Sequence, residues 1–291
     1  MNLSKEKPPL VKKKKTKKKG NLLAAFLAAP HIVWTVLFIV VPLIFVAVYA
    51  FTDRQMNFTF DNILDFFTPE KLYILWRSVK LALIATVICI LIGYPAAYFI
   101  SKANPRTQKL LILLIMLPMW MNFLIRTYAW MVILQNKGII NSIVGLIGLG
   151  PFKMINTEGA VIVGMVYDFL PYMILPIYSV MTKLDTRLIE AAADLGCNGF
   201  GVLTKVIIPH SLPGVFSGIT MVFVPSISTF YISQKLGGGK FFLIGDLIES
   251  QYNANNIHAA AAISLVLMLI ILASMAVLNH FSDDSEGGFI P

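Results

Sequence analysis

Six long apolar stretches alternate with polar ones along the chain: Leu22 to Phe51, Leu81 to Ile100, Leu110 to Leu134, Gly159 to Met181, Leu212 to Ile232 and Ala259 to Phe281. Each has the roughly 20 residues that a helix needs to cross a hydrocarbon core of about 30 Å. Lipid offers the backbone no hydrogen-bond partners, which leaves helices and closed barrels as the only spanning forms. The pattern predicts an all-α integral membrane protein with six transmembrane helices. The first stretch is overlong and carries His31, so its start is expected along the interface. Its apolar run continues past Ala28-Ala29 to Phe51, which favours a retained anchor over a cleaved signal peptide.

Composition agrees with this pattern. The chain is 57% hydrophobic and 13% charged, with a mean hydropathy of +0.75, against about 45–50% apolar and about 25% charged in soluble domains. The net charge of +9 suggests nucleic acid at first, but residues 1–20 hold nine lysines and one glutamate, which leaves only +1 after Gly20. No basic groove for nucleic acid remains. The lysine tail, 1–20, is expected to be disordered and to hold the N-terminus on the cytoplasmic side of the membrane. An even number of spans puts the short acidic tail, 282–291, on that same side, with 21–281 as the transmembrane domain. The remaining charge is less decisive. The inner loops 101–109 and 182–211 carry six Lys/Arg, and the three outer segments carry eight over about twice the length. Cys89 and Cys197 are too few for a disulfide framework or a four-ligand zinc site.

The inner loop 182–211 is long for a connection. Read as a helix, Lys183 to Gly196 places Leu184, Leu188, Ala191 and Leu195 on one stripe, with Lys183, Arg187, Glu190 and Asp194 beside it. This is an amphipathic helix with a partner. Gly196 can supply a left-handed C-terminal turn, and a second short helix, Phe200 to Ile208, is expected to stop ahead of Pro209.

The spacing Glu190-Ala191-Ala192, three residues, Gly196, nine residues, Val206-Ile207-Ile208-Pro209 resembles the cytoplasmic loop signature of ABC importer permeases, E-A-A-x3-G-x9-I-x-L-P. Further strings narrow the resemblance: Gly93-Tyr94-Pro95-Ala96-Ala97-Tyr98, Leu117 to Tyr128, Leu236-Gly237-Gly238-Gly239-Lys240 and Leu243-Ile244-Gly245. Together they resemble the B-type permeases of spermidine/putrescine ABC importers. The resemblance implies a type I ABC importer permease fold and a second, C-type permease. It also implies a homodimeric ATPase that holds ATP and Mg, and an extracytoplasmic polyamine-binding protein or lipoprotein. The loop would then be the coupling helix seated in the ATPase. Glu190 and Asp194 would make polar contacts there, Ala191, Ala192 and Leu195 would pack closely, Gly196 would form the turn, and Pro209 would close the signature. The nearest alternative is the same machine with another cargo, such as an aminophosphonate, a metal ion or an oxyanion.

The residues themselves offer no catalytic chemistry. A phosphate cradle needs G-x4-G-K-[ST], and Gly237-Gly238-Gly239-Lys240-Phe241 lacks both the spaced first glycine and the hydroxyl. His31, His210, His258 and His280 are scattered. Ionisable residues within spans usually face a bundle interior or cavity. Arg126 and Asp168, with Asn122 one turn before Arg126, are therefore expected either to line or gate the pathway, Asp168 attracting a cationic substrate and Arg126 pairing with a carboxylate, or to form a structural ion pair or snorkel to an interface. Trp120, Tyr128, Trp130, Tyr167, Phe169, Tyr172, Phe230 and Tyr231 could meet protonated amines through cation–π attraction or serve as interfacial belts and packing. The outer acids Asp53, Asp61, Asp65, Glu70, Glu158, Asp246 and Glu249 could dock a soluble receptor, but the default expectation is that they keep loops solvated.

Overall fold

A computed structural model describes residues 22–148 and 150–287, with side chains for 29–148, 150–278 and His280. The lysine tail and the end of the acidic tail lie outside the described residues. The elements are α1 (Leu22–Thr35), α2 (Val41–Ala50), α3 (Asp61–Phe66), α4 (Pro69–Lys102), α5 (Pro105–Trp120), α6 (Phe123–Leu134) and α7 (Ile139–Leu146). They continue with α8 (Glu158–Met181), α9 (Thr186–Asp194), α10 (Gly199–Val202), α11 (Ile208–Ser228), α12 (Tyr231–Gly237), α13 (Ile244–Asn253) and α14 (Ile257–Gly287). Two π-helical turns, Val36–Val40 and Leu203–Ile207, join α1 to α2 and α10 to α11. Residues up to Phe45 form one unit and the rest another.

Among the described residues, five helices are long and apolar enough to cross a membrane, and the bent pair Pro105–Trp120 and Phe123–Leu146 makes a sixth if it counts as one span. The third apolar stretch is thus not one straight helix. Pro118 has no N–H to continue the ladder, Met121 is extended, and the Asn122 side chain accepts from the Leu124 N–H at 2.8 Å, which starts α6 afresh. The two limbs meet at 93°.

The expected stop before Pro209 is also corrected. The Ile208 N–H bonds back five residues to the Leu203 carbonyl, and the helix runs on through Pro209 and Pro213 to Ser228. A π turn widens the backbone ahead of a proline and relieves the clash of its ring with the carbonyl four residues earlier. The second span begins at Pro69, well before Leu81, because a polar first section is held by Arg77 and Lys80 against Glu158 at 3.3 and 3.8 Å. The last helix continues past Phe281 to Gly287.

Helices α4, α8 and α11 pack on one another as the centre of the second unit. Small residues let them approach: a Cβ on Gly214 would lie 2.9 Å from the Pro176 carbonyl oxygen and 3.0 Å from the Ile177 Cα. Backbone cannot step aside as a side chain can. Gly214→Val is therefore expected to destabilise the protein by about 1–3 kcal/mol, the usual range for overpacking, seen as a lower thermal unfolding midpoint in nanodiscs.

Candidate coupling surface and transmembrane ion pair

The 182–211 loop folds into two short helices laid across one end of the bundle. Asp185 starts α9 by accepting the Arg187 N–H at 2.9 Å, two residues after the expected start at Lys183. At the other end, Gly196 has φ +83°, and the Gly196 and Cys197 N–H groups donate to the carbonyls of Ala193 and Ala192. A left-handed residue here turns the chain back with the last carbonyls satisfied. Asn198 then caps α10 by accepting the Gly201 N–H at 2.8 Å.

This geometry divides the helix into two faces. Leu184, Ile189, Ala192 and Cys197 pack into a core with Ile100, Met181, Val202 and Ile207. Leu188 is 43% exposed, Leu195 86% and Phe200 74%, and Ala191, Arg187, Glu190 and Asp194 are exposed as well. Three members of the apolar stripe read from sequence, Leu188, Ala191 and Leu195, thus stand free, and among the described residues no ion pair engages Glu190 or Asp194. Ala192 is the correction: it is buried against the chain's own core, and its close packing is internal. Pro209 is half-buried at the start of α11.

Behind α9 lies an open cavity of about 260 Å³, lined by Tyr98, Ser101, Gln108, Met181, Thr186 and Ile207 among others. The ends of α4, α8 and α9 and the starts of α5 and α11 therefore meet at one end of the bundle. Gln108 ties them: its amide donates to the carbonyls of Ser101 and Ala103 at 3.0 and 2.8 Å, and its oxygen accepts from Tyr178 Oη at 3.1 Å. Tyr94 Oη and Ser211 Oγ, 2.9 Å apart, link α4 to α11 in the same way. Neither tie is legible in the sequence, because partners so far apart along the chain leave no local spacing signal.

Midway along α8, Asp168 Oδ1 lies 2.8 Å from Arg126 Nη1, and the two side chains are 4% and 10% exposed. The two form an ion pair inside the chain, an arrangement that both a structural role and a place beside the pathway accommodate. Arg126 also lies over the Phe123 ring at 5.7 Å. Asn122 sits one turn below with its side-chain oxygen committed to the start of α6. The aromatics do not form one cage. Tyr167 packs edge-on against Trp130, Phe169 lies beside Tyr172, and Tyr128 and Tyr231 share the Lys235 ammonium at 5.5 Å. Trp120, Tyr128, Tyr172 and Phe230 are exposed on the chain, whereas the Arg126–Asp168 pair is inside it.

At the opposite end, the glycine string closes α12. Gly238 has φ +63°, a Cβ there would meet the Asn156 side chain, and the Asn156 N–H donates to the Leu236 carbonyl at 2.8 Å. Most outer acids are spoken for. Asp65 pairs with Lys71, Glu158 takes Arg77 and Lys80, and Glu249 accepts from Gln234. Asp53 folds a turn by accepting the Asn57 and Gln55 N–H groups, which holds its carboxyl below the usual range.

Asp246 is the exception to the expectation of solvated loops. It is buried, and its Oδ2 accepts from Ser233 Oγ at 2.7 Å and from the Leu243 N–H at 2.8 Å. The neighbouring Ile244 N–H donates to Ser78 Oγ on α4 at 2.7 Å. Burial pushes the carboxyl up to about 6 from an ordinary 3.8, against the pull of these donors and with a small further push from Glu249. The folded protein therefore holds more protons than the unfolded chain between those values, so stability falls as pH rises through that window. The expected loss is at most about 3 kcal/mol between pH 4 and pH 6. Thermal midpoints should decline over this range, and Asp246→Asn should flatten the decline.

Comparison with known proteins agrees with this architecture. Residues 89–284 match the family described as binding-protein-dependent transport system inner membrane component. The spermidine/putrescine transport system permease protein PotB of Haemophilus influenzae is 40% identical over 250 residues, covering 82% of this chain and 87% of its own. PotB of Escherichia coli K12 is 36% identical over 247 residues, covering 82% and 90%. Among solved structures, a bacterial ABC transporter involved in the import of the acidic polysaccharide alginate superposes with a TM-score of 0.69 at 18% identity, covering 90% of this chain and 95% of that one. That likeness concerns the fold, a bundle with the layout of an ABC importer permease. The chain belongs to the family of inner membrane components of binding-protein-dependent transport systems.

Proposed function

We propose that the chain is one of two permease subunits of an ATP-driven importer of polyamines such as spermidine and putrescine. The observation that carries this reading is the exposed face of α9 and α10. An apolar patch of Leu188, Leu195 and Phe200, edged by Glu190 and Asp194, stands on a helix whose other face is fastened into the bundle. A partner that grips the patch moves the ends of α4, α5, α8 and α11 with it. In this reading the partner is a homodimeric ATPase, and ATP with Mg bound there supplies the free energy for closure. This chain's residues only receive the motion. The loop end then faces the cytoplasm, and with it both termini of a six-span chain. A second permease completes the pathway, and a binding protein delivers the cargo at the opposite end.

The polyamine assignment is supported by the identity to PotB over four-fifths of the chain. In this reading Trp120, Tyr128, Tyr167, Tyr172 and Phe230 supply ring faces for protonated amines, and Asp168 offers its charge to the cargo when its pair with Arg126 opens. Uptake of labelled spermidine into cells from which the gene has been deleted, with and without the gene restored, tests the reading. Restored uptake is the expected result. Unrestored polyamine uptake, with restored uptake of an aminophosphonate, metal ion or oxyanion, would keep the machine and replace the cargo.

A further inference from the structure

Helix α7 and its C-cap Ile147 carry four apolar side chains outward, while Ile140 and Val144 are part-buried on the other face. Ile139, Ile143, Leu146 and Ile147 fall at i, i+4, i+7 and i+8, the spacing of one helical stripe, and are between 58% and 86% exposed. One polar side chain, Asn141, is turned inward, while Ser142 is exposed. Asn141 is buried, its amide donates to the carbonyls of Gln135 and Phe152 at 3.2 and 2.9 Å, and its oxygen accepts the Phe152 N–H at 2.9 Å. These bonds pin the returning chain behind the helix and present the stripe away from the bundle. A patch of this kind facing water would be unfavourable, so something apolar covers it.

Two observations identify the cover as the bilayer itself. First, α7 lies at the end of the bundle opposite α9, because α5 leaves the α9 end and α8 returns to it. The α5 helix has 16 residues, about 24 Å of rise, and the limb Phe123–Leu146 departs from it at 93°. Where α5 runs along the membrane normal, that limb runs across it. Second, the segment has one sign of charge. No Asp or Glu occurs from Lys71 to Thr157, and the exposed Lys137 and Lys153 stand at the two ends of the α7 loop.

We infer that α7 is an interfacial helix whose Ile139–Ile143–Leu146–Ile147 stripe sinks into the acyl boundary of the leaflet at this end, while Lys137 and Lys153 meet the phosphates of anionic phospholipids. An amphipathic helix flanked by lysines binds a membrane surface through these two contributions together. The anchor sets the depth of the bent third span, and with it the position of Arg126 on α6.

Spin labels on single cysteines test the inference in the assembled transporter in nanodiscs, with Cys89 and Cys197 replaced by alanine and serine. Labels at Ile143→Cys and Ile147→Cys are expected to be relaxed more by oxygen than by a water-soluble nickel chelate, and a label at Asn136→Cys the reverse. Preference for nickel at position 143 would place the stripe in water, and shielding from both reagents would place it under a protein subunit. Either result overturns the inference. The headgroup contact has its own readout. Exchanging phosphatidylcholine for phosphatidylglycerol should raise the unfolding temperature of the wild type, and the Lys137→Gln/Lys153→Gln variant should lose most of that gain. An undiminished gain in the variant would overturn the assignment of the two lysines.

Discussion

Leu188→Glu combined with Leu195→Glu is expected to reduce ATP-driven uptake to background while leaving the chain folded in the membrane. Both side chains are exposed on the chain, so charge there meets water rather than core. In the proposed complex they are the centre of the apolar face offered to the ATPase. Removing a buried interface anchor commonly costs about 2 kcal/mol or more, close to a 30-fold loss of affinity for each residue, and the new carboxylates add desolvation to that. Co-purification of the ATPase with this chain should fall in parallel. Ala192→Glu, only a few residues away, is expected to act differently. Its side chain lies in the core beneath α9, so a carboxylate there should lower the yield of folded protein before any coupling can be measured. Gly196→Asp falls between the two. A side chain at φ +83° strains the turn by about 1–2 kcal/mol and tilts the face without touching its chemistry.

The second large effect concerns the pair inside the bundle. Asp168→Ala or Arg126→Ala alone should destabilise the transporter by about 3–5 kcal/mol, because each leaves a buried charge without its counter-ion. Replacing both, as Arg126→Met with Asp168→Leu, should recover most of that stability, since a buried ion pair and an apolar pair of similar volume are often close in energy. Thermal unfolding of the three variants in nanodiscs measures this directly. Transport then separates the two roles considered for Asp168. If the carboxylate also attracts the cationic cargo, the stable double variant takes up spermidine poorly. Asp168→Asn with unchanged affinity and rate would leave the residue a structural role alone.

The parts of this molecule that were legible in the sequence are those fixed by local periodicity. The fourth span was placed to within one residue at its start, and the α9 turn was correctly assigned to Gly196, because an apolar run and a left-handed glycine each leave a short-range mark. The amphipathic loop was legible for the same reason, although Ala191 and Ala192 are both expected to pack on the partner and only Ala191 is exposed to do so. Ala191 and Ala192 have the same composition and neighbouring positions, and only the direction from which the bundle approaches separates them. The break at Met121 and Asn122 was missed although both signals were present, a proline at 118 and an Asn cap at 122, since the apolar run around them reads as continuous. The π turn before Pro209 was missed because nothing local distinguishes a proline that ends a helix from one that a widened turn accommodates. Asp246 was read as a solvated loop acid. Its burial depends on Ser233 and on Ser78, which lies 166 residues from the Ile244 N–H that it meets, a pairing that no spacing rule reaches.

The central claim is that this chain converts closure of an ATPase on its α9 face into movement of polyamine across the membrane. ATP-dependent accumulation of labelled spermidine and putrescine in proteoliposomes tests it most directly. The vesicles would hold the two permeases and the ATPase, with the binding protein supplied at the face opposite α9. Accumulation that requires ATP and the binding protein, and that disappears in the Leu188→Glu/Leu195→Glu variant with its fold intact, is the predicted result. Accumulation that persists in that variant, or that proceeds without any ATPase, would contradict it.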